Sequence, residues 1–203
     1  MSKRLAILGA GELGKQIANF ALNDNHYTEV YFYDDFFSND EIVGNSDKMV
    51  EDYSKNLFDE LIIGIGYNHL VAREEKFKAF KNSIPFGKIV HSSCWTDPSA
   101  VIEEGCVLYP RSVVDKNVKI SYNTIINLNC TIAHDTTIGS SCFLAPAVAI
   151  AGFCTIKAAC FIGINTTIKD NLIIDDNVVI GAGSLVIRSI LKKGTYFGNP
   201  IKN

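Results

Sequence analysis

From Ile102 to Val186 an aliphatic residue recurs at every sixth position: Ile102, Leu108, Val114, Ile120, Ile126, Ile132, Ile138, Leu144, Ile150, Ile156, Ile162, Ile168, Ile174, Ile180 and Val186. A period of six fits neither a helix nor an alternating strand, so it reads as an internal repeat. Four positions after each aliphatic residue the side chain is nearly always small, as at Cys106, Ser112, Thr124, Cys130 and Thr136. Three positions after it stands a turn residue, repeatedly asparagine (Asn117, Asn123, Asn129, Asn165, Asn171, Asn177), which tolerates left-handed backbone angles. Each hexapeptide therefore predicts one short strand and one turn, the aliphatic side chain inward and the small one beside it in the corner. Three strands close a triangular coil, and residues eighteen apart stack. No coil buries its own apolar face; the stack does so collectively.

The chain before the repeats has a different rhythm. Lys3 to Leu8 is an apolar run of strand type, followed by Gly9-Ala10-Gly11-Glu12-Leu13-Gly14 and by Lys15 to Leu22, with Ile17, Ala18 and Ala21 on one helical side. Strand, glycine-rich turn and helix in that order form the context in which GxGxxG approaches a phosphate at a helix N-terminus. Val30 to Tyr33 is a second strand, ending in Asp34-Asp35, where an acidic group can accept from a ribose hydroxyl. The polar segment Ser38 to Ser54 reads as a loop with little regular structure. Leu61 to Gly66 is a third strand, Leu70 to Phe80 a charged helix and Lys88 to Val90 a last strand. Tyr67 and Asn68 follow the third strand, on the same carboxyl edge of the sheet as the other two loops. The expected architecture is α/β plus all-β: a small Rossmann-like parallel-sheet domain over residues 1–88, then a left-handed parallel β-helix over 89–203. The first domain is large enough for one nucleotide rather than a dinucleotide; a nicotinamide cofactor and a purely structural turn are the competing readings.

Composition adds exclusions. A net charge of −3 without a run of Lys and Arg gives no sign of nucleic acid or an anionic membrane surface. The apolar run after Lys3-Arg4 stops at Gly9, short of a signal-peptide core, and no stretch reaches membrane-span length, so the expectation is a cytoplasmic protein. All six cysteines fall on the small corner position, with no CxxC and no Cys–His pairing at metal-ligand spacing; they read as buried free thiols acting as small hydrophobes, and no metal is expected.

Within the repeats, His134 is the single histidine, followed by Asp135. It lies on a turn, where a histidine can be an ordinary solvated residue. Asn127 stands on a turn seven residues earlier, and Gly152 follows eighteen residues later, directly above His134. Glycine over histidine leaves a notch with a backbone N–H. A base, a carboxylate to fix its tautomer and a donor for an oxyanion are the parts that acyl transfer needs.

Taken in order, Gly9 to Gly14, Phe32-Tyr33-Asp34-Asp35-Phe36, Ile65-Gly66-Tyr67-Asn68, Asn127 to Ile138 with His134-Asp135, Phe161 to Asn165 and Gly198 to Lys202 resemble the left-handed β-helix acyltransferases. The likeness is to the two-domain N-acetyltransferases of nucleotide-linked 4-amino-4,6-dideoxy sugars, with the sialic acid O-acetyltransferases as near relatives and as the alternative function. The resemblance implies a homotrimer with active sites between subunits, acetyl-CoA along the intersubunit groove and the nucleotide in the first domain. It implies His134 as general base, Asp135 orienting it, Asn127 holding the sugar and the Gly152 amide stabilising the oxyanion. CoA would pass Gly163, Gly181 and Ala182; Gly9, Gly11, Leu13, Gly14, Asp34, Asp35, Tyr67 and Asn68 would meet the nucleotide sugar. The chain departs from the pattern at Leu13, where some relatives have histidine, and at Ile201, where a small residue is usual. A zinc carbonic-anhydrase site would need three histidines, and a non-catalytic scaffold would leave His134 and Asn127 as turn residues.

Overall fold

The computed structural model describes residues 3–202. The chain divides into two compact units, one ending at Ile89 and the other beginning at Val90.

The first unit is built on strand β1 (Arg4–Leu8), whose residues Leu5, Ala6 and Ile7 are fully buried. Strands β2 (Glu29–Tyr33), β3 (Ile42–Gly44) and β4 (Glu60–Ile63) complete a parallel sheet in the order β3-β2-β1-β4. Helix α1 (Glu12–Asn23) buries Gly14, Ile17, Ala18 and Ala21, the spacing of a single helical face. It starts three residues before the expected Lys15, because extended Gly11 serves as N-cap. Helix α3 spans Leu70–Phe80, as its charge pattern indicated.

The segment from Ser38 to Ser54 is more ordered than its composition suggests. It contributes β3, a 3-10 turn at Ser46–Lys48 and helix α2 (Met49–Ser54). Its anchors are non-local: Met49 is fully buried, and the Tyr33 hydroxyl donates to Asp52 at 2.9 Å. Periodicity cannot register an element three residues long whose stability comes from partners elsewhere.

The second unit is the left-handed parallel β-helix. Its two-residue strands stack at intervals of eighteen, as in Ile126↔Leu144, Leu144↔Ile162 and Ile162↔Ile180, and the inward column is fully buried. From Gly105 to Gly183 every corner holds a residue with positive φ, not only the asparagines but also Asp135 (57°), Ala147 (59°) and Phe153 (59°). That conformation costs a non-glycine residue about 1–2 kcal/mol. It recurs because the N–H at that position bonds the coil beneath: Asp135 to the Lys116 carbonyl at 2.9 Å, Phe153 to that of His134 at 3.1 Å.

The cysteines are more than small hydrophobes. Their thiols donate to the carbonyl fifteen residues on, Cys106 to Ser121 at 3.1 Å, Cys142 to Lys157 at 3.0 Å and Cys160 to Asp175 at 3.0 Å. Ser112 and Thr124 make the same bond to Asn127 and Gly139, at 2.8 and 2.9 Å. Cys, Ser and Thr interchange at the corner because each is a small donor where a buried carbonyl must be satisfied. Burial pushes the Cys130 thiol up to about 11, so it stays protonated and able to donate at neutral pH.

Candidate functional site

The β-helix brings together the three residues on which the acyl-transfer reading turned. His134 and Asp135 sit on one corner, both partly exposed, with Nδ1 2.9 Å from Asp135 Oδ2. An ionised carboxylate only accepts, so Nδ1 carries the proton and the neutral ring presents a lone pair at Nε2. Hydrogen bonds from Asn117 and then from His134 hold the Asp135 carboxyl below the ordinary range, so it is ionised at neutral pH. Gly152 stacks over the ring: a Cβ there would lie 2.8 Å from Cε1 and 3.0 Å from Nε2. Only glycine leaves the notch. Among the described residues the Gly152 N–H meets no acceptor within the chain, whereas its carbonyl is taken by the Asn171 N–H at 3.1 Å.

Other residues stand elsewhere. Asn127 lies at the opposite end of the strand Thr131–Ile132 from His134, and its Oδ1 accepts the Leu128 N–H at 2.7 Å, leaving Nδ2 as its donor. Gly163 and Gly181 have packing reasons for being glycine. A Cβ on Gly163 would meet Ala182 N at 2.6 Å, and one on Gly181 would meet Phe197 Cβ at 2.9 Å. Their N–H groups are spent on the Ile180 and Tyr196 carbonyls at 2.8 Å each. Ala182, exposed on the next turn position, keeps its N–H free among the described residues.

In the first unit, β1 lies between strands reached in opposite directions, and the ends of β1 and β4 form the switch point where open α/β sheets take ligands. The glycines there fall into two classes. Gly9, Gly14 and Gly64 pack on one another: a Cβ on Gly14 would lie 1.9 Å from the Gly9 carbonyl oxygen, and one on Gly9 2.9 Å from Gly64. Gly11 and Gly66 face open space, and each is the extended N-cap of the helical turn that follows, without a side-chain cap. Those two leave backbone accessible at the sheet edge. Leu13 is half-buried in the first turn of α1, and Glu12 beside it places a negative charge where a phosphate would approach. Tyr67 and Asn68 form a 3-10 turn, both exposed.

The two aspartates are largely consumed by the fold. Asp34 is buried; its Oδ2 accepts the Ala10 N–H at 2.8 Å, and its Oδ1 accepts those of Phe36 and Phe37 at 2.9 and 3.0 Å. It clamps the glycine-rich loop to the end of β2. Asp35 accepts from the Lys76 ammonium at 2.7 Å and the Ser46 N–H at 2.8 Å. Burial pushes its carboxyl up, but those bonds outweigh it and hold it below the ordinary value. Beside them opens a cavity of about 380 Å³, lined by Asp34 to Ser38, Ile42 to Asn45 and Lys48, with Phe36 and Phe37 exposed at its rim.

Comparison with known proteins bears on both units. Residues 4–79 match the PglD N-terminal domain, and residues 153–188 match the bacterial transferase hexapeptide family (six repeats). The acetyltransferase domain of PglB from Neisseria gonorrhoeae FA1090, solved with acetyl coenzyme A, superposes with a TM-score of 0.89 at 25% identity, covering 100% of this chain and 99% of that one. The chain is an acyltransferase that carries hexapeptide repeats. PerB from Caulobacter crescentus, solved with CoA and GDP-perosamine, shares the fold with a TM-score of 0.87 at 23% identity, covering 98% and 95% of the two chains. WeeI from Acinetobacter baumannii AYE does so at 0.82 and 23%, covering 98% of each. Among curated proteins no significant sequence match is found.

Four residues of this acyltransferase escaped the sequence reading. Asn117 donates to Asp135, Lys76 holds Asp35, and Arg73 is fully buried with Nη1 directed at the Ile65 carbonyl at 3.4 Å. Phe153 sets its ring edge-on to His134, with centroids 5.0 Å apart. Only Phe153 had a signal in the sequence, as an aromatic in a corner register otherwise occupied by small or polar residues. Among the described residues no cluster of three or more His, Cys, Asp or Glu could hold a metal ion, and no helix is long and apolar enough to cross a membrane.

Proposed function

We propose that this acyltransferase uses acetyl-CoA to acetylate the amino group of a nucleotide-linked 4-amino-4,6-dideoxy sugar, with His134 as general base. The observation that carries the reading is the His134–Asp135 pair beneath Gly152: a fixed Nδ1–H, an open Nε2 and an unspent N–H converge on one notch. Nε2 takes the proton of the sugar amine as its nitrogen attacks the thioester carbonyl. The C–N bond forms, and the Gly152 N–H donates to the oxyanion that develops. On collapse the C–S bond breaks, and the imidazolium returns its proton to the leaving thiolate. No acyl-enzyme is needed.

The complexes of PglB with acetyl coenzyme A and of PerB with CoA and GDP-perosamine support the donor and the acceptor class. An apolar column of Leu128, Pro146 and Ile164, with Leu128 and Ile164 38% and 50% exposed, suits the pantetheine chain and the face of a second subunit. We assign CoA to that corner, with Ala182 N–H as a donor, and a homotrimer in which Asn127 of one subunit faces the sugar held at His134 of the next. The nucleotide is assigned to the open edge at Gly11, Gly66, Tyr67 and Asn68. Because Asp34 and Asp35 are already engaged, its base and ribose meet this edge chiefly through backbone groups.

The test is acetyl transfer followed by mass spectrometry, with acetyl-CoA and UDP-, dTDP- and GDP-linked 4-amino-4,6-dideoxy sugars, and CMP-sialic acid and free sialic acid beside them. One amino sugar gaining an acetyl group establishes reaction and nucleotide together. Product from the sialic acids alone replaces this reading with O-acetylation, and no product from any of them removes it.

A further inference from the structure

By its place in the six-residue register Asn117 is a turn residue with left-handed angles. Its φ of 58° fits that task, but its side chain does something further. Asn117 stands eighteen residues before Asp135, one coil beneath it, and its Nδ2 donates to Asp135 Oδ1 at 3.0 Å. The other oxygen, Oδ2, faces His134 Nδ1 at 2.9 Å. The carboxylate is thus held at both oxygens, and rotation about its Cβ–Cγ bond would break one contact or the other. Asn117 is anchored in turn: its N–H donates to Ser99 Oγ at 2.9 Å, and Ser99 Oγ donates to Asp97 Oδ1 at 2.6 Å.

We propose that Asn117 is a positioning residue for this site: its amide fixes the Asp135 carboxylate, and the carboxylate fixes the Nδ1–H tautomer that leaves Nε2 free to accept a proton. The inference rests on His134 being the base of the proposed reaction, although the tautomer itself is a property of the free protein. Asp135 is solvent-accessible, and an exposed carboxylate one residue from its histidine would otherwise sample several rotamers and share its hydrogen bonds with water. The hydrogen bond from Asn117 is also the largest cause of the lowered Asp135 ionisation, ahead of His134. Among the described residues Lys116, from the coil beneath, also acts electrostatically on Asp135, and Asp170, in the register column of His134 and Gly152, already accepts from Asn171 Nδ2 at 2.6 Å. Neither occupies the place of the amide on Asp135 Oδ1.

The experiment uses full-length protein labelled with 15N-histidine and titrated by NMR, the His134 signals being assigned by their loss in His134→Gln. In the unmodified chain the neutral ring holds its proton on Nδ1. Asn117→Gly keeps the backbone angle, since glycine adopts it freely; its neutral His134 is expected to shift toward the Nε2–H tautomer. Asn117→Asp puts a second carboxylate against the first and is expected to move the His134 ionisation to higher pH. In acetyl transfer, Asn117→Gly is expected to lower kcat roughly 5-fold, the worth of one hydrogen bond, with KM for acetyl-CoA unchanged. Asn177→Gly, which has the same φ of 58° in another column, is the control and should change neither readout. An Asn117→Gly protein with the original tautomer and rate would overturn the proposal and return Asn117 to the turn alone. If no acceptor is acetylated, the tautomer measurement still decides the positioning role, because it needs no substrate.

Discussion

The two units treat their polar side chains in opposite ways. In the sheet unit, Asp34, Asp35, Lys76 and Arg73 are spent on backbone groups and on one another, so what remains open to a ligand is mostly main chain at Gly11 and Gly66. In the β-helix most of the backbone is satisfied by the strand ladder, the corner N–H bonds and the corner thiols and hydroxyls. At His134 that scheme takes only the main-chain carbonyl, which accepts from the Phe153 N–H at 3.1 Å, and leaves the imidazole for chemistry. A loop-rich α/β edge needs its side chains to hold its turns, whereas a solenoid repeats one solution for the backbone and releases the rest.

The largest effect that tests this contrast is at His134. His134→Ala should cut acetyl transfer about 10²–10⁴-fold, the usual worth of a positioned general base, while leaving the thermal unfolding midpoint near that of the original chain. A rate within tenfold of the original would remove His134 from the chemistry. Gly152→Ala sharpens the point, because its methyl group would stand 2.8 Å from the imidazole. A displaced base predicts a loss of roughly 10–100-fold in kcat, and unchanged kinetics would mean that the notch is not where the reaction occurs.

Effects in the sheet unit should fall on stability instead. Asp34→Ala orphans three N–H groups and should destabilise by roughly 1–3 kcal/mol, read as an earlier urea unfolding midpoint; a loss confined to KM for the nucleotide sugar would instead make Asp34 a ligand contact. The smallest effect concerns pH. Asp35 is held below its ordinary ionisation, so its contribution is present above the ordinary carboxylate range and is lost as pH falls through the lowered value. Asp35→Asn should therefore differ from the original chain in urea midpoint at pH 7, and the difference should shrink as pH falls below the unperturbed aspartate value near about 3.9 and through the lowered one. A difference that persists at acid pH would show that Lys76 matters to the fold by packing alone.

The six-residue period was enough to define the β-helix, its inward column, its left-handed corners and the stacking of Gly152 on His134, because a strict repeat converts sequence separation into spatial position. In the first unit β1, β2 and β4 were legible as short apolar runs, α1 by its one-sided apolar face and α3 by its run of charged residues. Three things were decided only in the tertiary structure. The segment from Ser38 to Ser54 became strand and helix, with Met49 buried and Asp52 accepting from the Tyr33 hydroxyl nineteen residues away. Asp34 and Asp35, which the spacing offered to a ribose, were turned to the backbone and to Lys76 by geometry that no spacing encodes. Asn117 looked like five other corner asparagines, and only the coil above, with a carboxylate already facing a histidine, gives its amide a different task. The repeat specifies where a residue stands, but its hydrogen bonds depend on which side chains arrive beside it.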